Sequence, residues 1–163
     1  MKFLLFPLFI FVLCFSSCTD KRIRKKPPVP TSDTDLVTGC YYIVEDSTKL
    51  KREVYHSPEH ESYFIDPKPI LTVANFKEVA VSEVDRYRLV LNVKLDEAGK
   101  TQWALATEKY NGKKLAFIIN DFLVMAPTVM GKIDGGSFDV TGNFKKEELE
   151  DFRKAIESDM YEK

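Results

Sequence analysis

The sharpest catalytic pattern in the chain is His56-Ser57-Pro58-Glu59-His60, which fits H-x-x-E-H, an inverted zinc-peptidase signature. Zinc chemistry needs both imidazoles on one helical face, a third ligand and an open coordination position. Pro58 opposes this: inside a helix it breaks the turn that joins the histidines, and at a helix start it leaves His56 outside. His56, Glu59 and His60 are therefore the metal-ligating candidates, and a solvated loop is the favoured reading of the segment. Asp134-Gly135-Gly136 suggests a calcium or phosphate loop, but lacks the spaced carboxylates of an EF-hand and the Gly-Lys-Ser/Thr of a P-loop. A turn is favoured there. Phe122, Met125 and Met130 lie in apolar runs; they are the candidates for a peptide-binding groove, with core positions favoured. Trp103 has the ring of a ligand-stacking residue and the helical spacing of a core one. No catalytic residue and no cofactor are expected.

Cys18 carries different chemistry. Lys2 is followed by the apolar run FLLFPLFIFVLCF, thirteen residues that reach only about 20 Å of a ~30 Å hydrocarbon core. Pro7 weakens a spanning helix further. A positive start, a short apolar run and the small pair Ser16-Ser17 read as a secretory signal. FSSC then resembles a bacterial lipobox, in which cleavage precedes the cysteine and the thiol takes a diacylglycerol; Phe15 departs from the usual aliphatic residue. With Cys14 removed and Cys18 acylated, Cys40 is the one remaining thiol, and a buried place in the strand GCYYIVE is favoured over pairing between chains.

Charge placement agrees with an anchored protein. Five cations fall in Lys21 to Lys26, whereas the chain from Cys40 onward holds 18 basic and 22 acidic residues. A basic, proline-bearing tether with a mildly acidic domain suits an anionic membrane surface and gives no footprint for nucleic acid. The expected organisation is a signal peptide over 1–17, a tether over 18–38 and one domain over 39–163.

The elements that must position these groups follow from periodicity. GCYYIVE is a first strand, Leu50 to Tyr55 a short edge strand, and Tyr63 to Ile65 a strand that Pro67 and Pro69 prolong as extended chain. Thr72 is placed to cap a short helix through Phe76 and Val79. Tyr87 to Leu95 alternates, with Leu89, Leu91, Val93 and Leu95 on one face. Asp96 caps a helix that runs to Tyr110 and closes at Asn111-Gly112. Gly99, Trp103 and Thr107 share one face of it. Two apolar runs then turn at Asn120-Asp121, residues that tolerate the left-handed backbone of a tight hairpin. Ala126-Pro127 ends the second run, Gly135-Gly136 leads into SFDVTG, and a last helix puts Leu149, Phe152, Ile156 and Met160 in one stripe. The acidic run Glu147 to Asp151 falls in its first turns and complements the helix dipole. The fold class is α+β: a mostly antiparallel sheet with two longer helices on one face.

Taken together, PKPILT, YRLVLNVKL, Gly99/Trp103/Thr107, Asn111-Gly112, Ala126-Pro127, Gly135-Gly136, Thr141-Gly142, Phe144 and Glu147-Glu148 resemble the head subdomain of the first periplasmic region of SecD (the SecDF P1 head). The likeness runs from about Tyr63 to Met160. Lys145 stands where the family's usual Thr caps the last helix, and Asn-Asp where the hairpin turn is often Asp-Gly. The six membrane helices and base subdomain of SecD have no counterpart in the sequence, so its proton-coupled activity does not carry over. The resemblance implies a non-catalytic head that meets polypeptides or envelope proteins, the Sec translocon among them, on the periplasmic side. Lipidation at Cys18 completes the expectation: a lipid-anchored, periplasm-facing binding module linked to protein export. The alternatives are a structural or surface-exposed envelope lipoprotein and, more remotely, a zinc-dependent hydrolase.

Overall fold

The computed structural model describes residues 35–85 and 88–161. The signal-like run, Cys18 and the basic part of the tether lie outside the described residues. The elements are β1 (Gly39–Val44), β2 (Leu50–Glu53), β3 (Ser62–Thr72), a 3-10 turn (Val73–Asn75), β4 (Phe76–Asp85), β5 (Arg88–Leu95), α1 (Glu97–Lys109), β6 (Leu115–Ile119), β7 (Phe122–Met125), β8 (Ser137–Val140) and α2 (Lys146–Tyr161). They form two antiparallel sheets, in the orders β2-β3-β1-β6-β7 and β4-β5-β8.

The larger sheet curls until its edges meet. Val54, just after β2, bridges to Leu123 of β7, and the Tyr55 N–H donates to the Leu123 carbonyl at 2.7 Å. The inner face is a small core of its own, Tyr41, Ile65, Ala116, Ile118 and Leu123 with Leu36. The other face joins the smaller sheet and both helices in the main core, through Cys40, Leu71, Leu115, Phe117 and Ile119 on the sheet side. β6 lies between the two cores, so all five of its residues are buried. A strand buried on both faces needs an unbroken apolar run, and LAFII supplies one.

The hairpin at Asn120-Asp121 forms as expected, with both residues in the left-handed region (φ 45 and 68) that a primed two-residue turn requires. β5 buries Leu91, Val93 and Leu95 as expected. Pro67 and Pro69 fall inside β3, where the pairing with β1 shifts register on either side of Tyr41. These irregularities accommodate residues without an N–H to give. Pro127 ends β7, yet its carbonyl still accepts from Leu115 N–H at 3.1 Å.

One expectation about the elements fails. The helix from Thr72 through Val79 is instead the 3-10 turn followed by β4, which pairs along its length with β5. Phe76 and Val79 fit a helical step, but Val79, Val81 and the alternation around them fit a strand equally. The waiting partner β5 decides between the two, a tertiary contact that local periodicity does not contain. The sheet thereby becomes two sheets.

α1 packs on β3 and β5, and α2 on β4, β5 and β6. Asp96 caps α1, its side chain accepting from Gly99 N–H at 2.7 Å. A Cβ on Gly99 would come within 3.0 Å of the Asn75 carbonyl, so the helix sits against the 3-10 turn at a distance only glycine permits. At α2 the lysine that replaces a capping threonine is compensated from the other end. Glu148 reaches back and accepts the Lys145 N–H at 2.8 Å, half of a capping box.

Candidate functional site

Trp103, the only tryptophan, is 6% exposed on the inward face of α1. Its ring lies 5.1 Å from that of Phe138 in β8, and Phe138 is 5.3 Å from Phe117 in β6. The helix also fixes the loop beyond it. Thr107 Oγ1 donates to the Trp103 carbonyl at 2.9 Å and accepts the Ile133 N–H at 2.9 Å, while Gly112 N–H reaches the Val129 carbonyl at 2.7 Å. The segment from Val129 to Ile133 is thereby held beside α1.

These contacts leave a half-open apolar cavity of about 220 Å³, walled by Trp103, Phe117, Met125, Pro127, Ile133 and Phe138, with Ser137 and Asp139 on the β8 side. Cys40 lies within the same lining, and burial pushes its thiol well above the ordinary range. A protonated, apolar thiol in that position is a wall, not a nucleophile. Among the described residues, the Trp103 indole N–H is the one buried side-chain donor or acceptor atom with no partner.

The sequence candidates are distributed unevenly. Met125 lines the cavity. Phe122 lies on the α2 side, its ring 5.7 Å from Tyr55, which is itself 5.7 Å from Phe152. Met130, expected in the core, is 86% exposed on the loop. Its apolar run is broken by Pro127, so periodicity carries no face beyond that point. Ile133, Pro127 and the edge of β8 were not legible as site residues, because a short strand reads alike whether it is central or terminal in its sheet.

His56 and His60 both adopt left-handed backbone (φ 55 and 53), so the segment between them is not one helical turn. They also face different carboxylates. His56 Nε2 lies 3.7 Å from Glu148 on α2, and His60 Nδ1 is 2.6 Å from Glu53 on β2. Glu59 is exposed. Among the described residues no three His, Cys, Asp or Glu side chains converge as a metal site. Asp134-Gly135-Gly136 is a turn, with Gly136 at φ 74 over the Lys100 side chain.

A curled five-strand sheet, a three-strand sheet and two helices define a small α+β domain with an apolar cavity beside α1 and β8. The chain belongs to the family described as SecDF, P1 head subdomain, whose profile matches residues 50–159. It is 30% identical over 93 residues to protein translocase subunit SecD of Rickettsia felis, a stretch covering 56% of this chain and 18% of that protein. It is similar to a crystal structure of SecDF in a super-membrane-facing form, at TM-score 0.53 and 22% identity, over 63% of this chain and 13% of that one. It is also similar to a solved structure of a membrane component SecDF described as enhancing protein export. There the TM-score is 0.61 and the identity 16%, over 76% of this chain and 63% of the other. The structural likenesses show the fold; the sequence match shows the family. Among the described residues no helix is long and apolar enough to cross a membrane.

Proposed function

We propose that this chain is a lipid-anchored envelope protein that presents a non-catalytic head of the SecDF P1 type to polypeptides or a partner protein during export. The family match over residues 50–159 carries the reading. The apolar cavity beside Trp103 supports a contact role, since an apolar concavity with few polar groups suits binding better than reaction. The relative in Rickettsia felis is named a translocase subunit, and this chain spans 18% of it; the transported chain and the Sec translocon are accordingly the partners proposed. Cys18 supplies the anchor, and the cations from Lys21 to Lys26 add attraction to anionic headgroups, about 1 kcal/mol for each one near the surface.

Two measurements test the reading. Mass spectrometry of the mature protein should find a diacylglyceryl group on Cys18 at the N-terminus; an intact or differently cut N-terminus would remove the anchor. The full chain should bind reduced, carboxymethylated α-lactalbumin, a permanently unfolded polypeptide, and ignore the native form. Equal indifference to both would leave the head as a purely structural envelope element.

A further inference from the structure

We propose that the free edge of β8, with the cavity beside it, takes one strand of an extended polypeptide and seats one large apolar side chain from it. This deepens the polypeptide-binding reading above and rests on it.

β8 is terminal in the sheet β4-β5-β8. The Leu95 N–H donates to the Gly136 carbonyl at 2.9 Å, and the register pairs Val93 with Phe138 and Leu91 with Val140. Bonded and non-bonded pairs alternate in an antiparallel ladder, so Phe138 and Val140 turn their backbone groups toward β5. Ser137 and Asp139 turn theirs outward, where no described strand pairs with them. The same two residues lie on the rim of the cavity.

Two features then converge on one kind of occupant. An unpaired strand edge is a template for another strand. The cavity, at about 220 Å³, exceeds the roughly 150 Å³ that holds a benzene ring in an engineered core, so it has room for one aromatic or branched aliphatic side chain. An acyl chain fills apolar space but offers nothing to a strand edge. An extended peptide brings the ladder groups and the side chain together.

Trp103 is the only tryptophan, so its emission reports on this cavity directly. The full chain is titrated with acetyl-Thr-Thr-X-Thr-Thr-amide, where X is 4-bromophenylalanine. Saturable quenching is expected, and unbrominated peptides should reverse it by competition, with X as aspartate at least about tenfold weaker a competitor than X as phenylalanine, because the cavity cannot solvate its charge. Asp139→Pro removes one outward N–H while sparing the backbone ladder to β5; it also loses the bond that the Asp139 carboxylate accepts from Asn92 Nδ2 at 2.7 Å, and should weaken the peptide about tenfold at a temperature where the variant remains folded. Ile133→Phe, which fills the cavity from its rim, should do the same and serves if the proline variant does not fold.

If carboxymethylated α-lactalbumin binds while Trp103 stays silent and both variants bind as the parent does, the polypeptide reading stands and this subsite is wrong. If neither probe binds, both fall. Quenching by brominated laurate as strong as by the peptide, and indifferent to Asp139→Pro, would make the cavity an acyl pocket and overturn the proposal.

Discussion

One carboxylate oxygen of Asp121 holds the Arg52 guanidinium, at 2.8 Å from Nε and 2.6 Å from Nη2, and also accepts the Leu36 N–H at 2.9 Å. Asp121 is the second residue of the β6–β7 turn and Arg52 lies on β2, so the pair fastens the two edges of the curled sheet. The Asp121 N–H returns a bond to the Leu36 carbonyl at 3.0 Å, which fixes the chain that enters the domain.

Asp121→Ala should therefore cost about 2 kcal/mol: hydrogen bonds to a charged group are lost, and alanine is strained at φ 68. Asp121→Asn keeps the turn and should cost about half as much, because the pair is partly solvated and screened. Urea midpoints read both values. A double-mutant cycle with Arg52→Ala that returns no coupling would mean that the edges close without this pair.

Trp103 fills the space between α1 and Phe138. Trp103→Ala should cost about 3–5 kcal/mol. Trp103→Phe should cost far less, since the ring contact survives and an unsatisfied N–H disappears. A thermal shift that is equal for the two variants would contradict this packing.

At the start of α2, Glu148 already accepts the Lys145 N–H, but the lysine side chain offers nothing in return. Lys145→Thr should complete the reciprocal box and stabilise the protein by about 1 kcal/mol. Glu148→Ala in the threonine background should remove most of the gain. Denaturant midpoints distinguish these outcomes.

Burial pushes the Cys40 thiol far above its ordinary 9.0. It does the same to the Tyr41 phenol, ordinarily 10.0, with smaller additions from Cys40 and Asp121. Above the ordinary values the unfolded chain has lost these protons while the folded chain keeps them, so stability falls as pH rises. The decline should begin near pH 9 and steepen past pH 10, by about 1.4 kcal/mol per pH unit for each group. Cys40→Ala should remove the first part of that slope. Native Cys40 should stay unlabelled by iodoacetamide at pH 8, as read from its own peptide by mass mapping.

His56 and His60 sit on exposed, separately paired turns. The double variant His56→Ala/His60→Ala should leave stability within about 0.5 kcal/mol and bound zinc unchanged, by calorimetry and elemental analysis. Loss of a stoichiometric zinc would revive the hydrolase alternative.

Where a residue's own backbone chemistry decides its role, the sequence sufficed. Asn120-Asp121 makes its hairpin, Asp96 its cap, and Gly99, Trp103 and Thr107 their buried face, because each depends on neighbours within a few positions. The ordered set of such signals also carried the family likeness. What it could not decide was where faces meet. Whether Phe76 to Asp85 is helix or strand depends on β5, and whether Pro127 and Ile133 are loop or cavity wall depends on α1 and β8. The closing of the larger sheet depends on an arginine and an aspartate sixty-nine positions apart. Those outcomes are set by long-range packing, whose energy exceeds local preference and leaves no periodicity behind it.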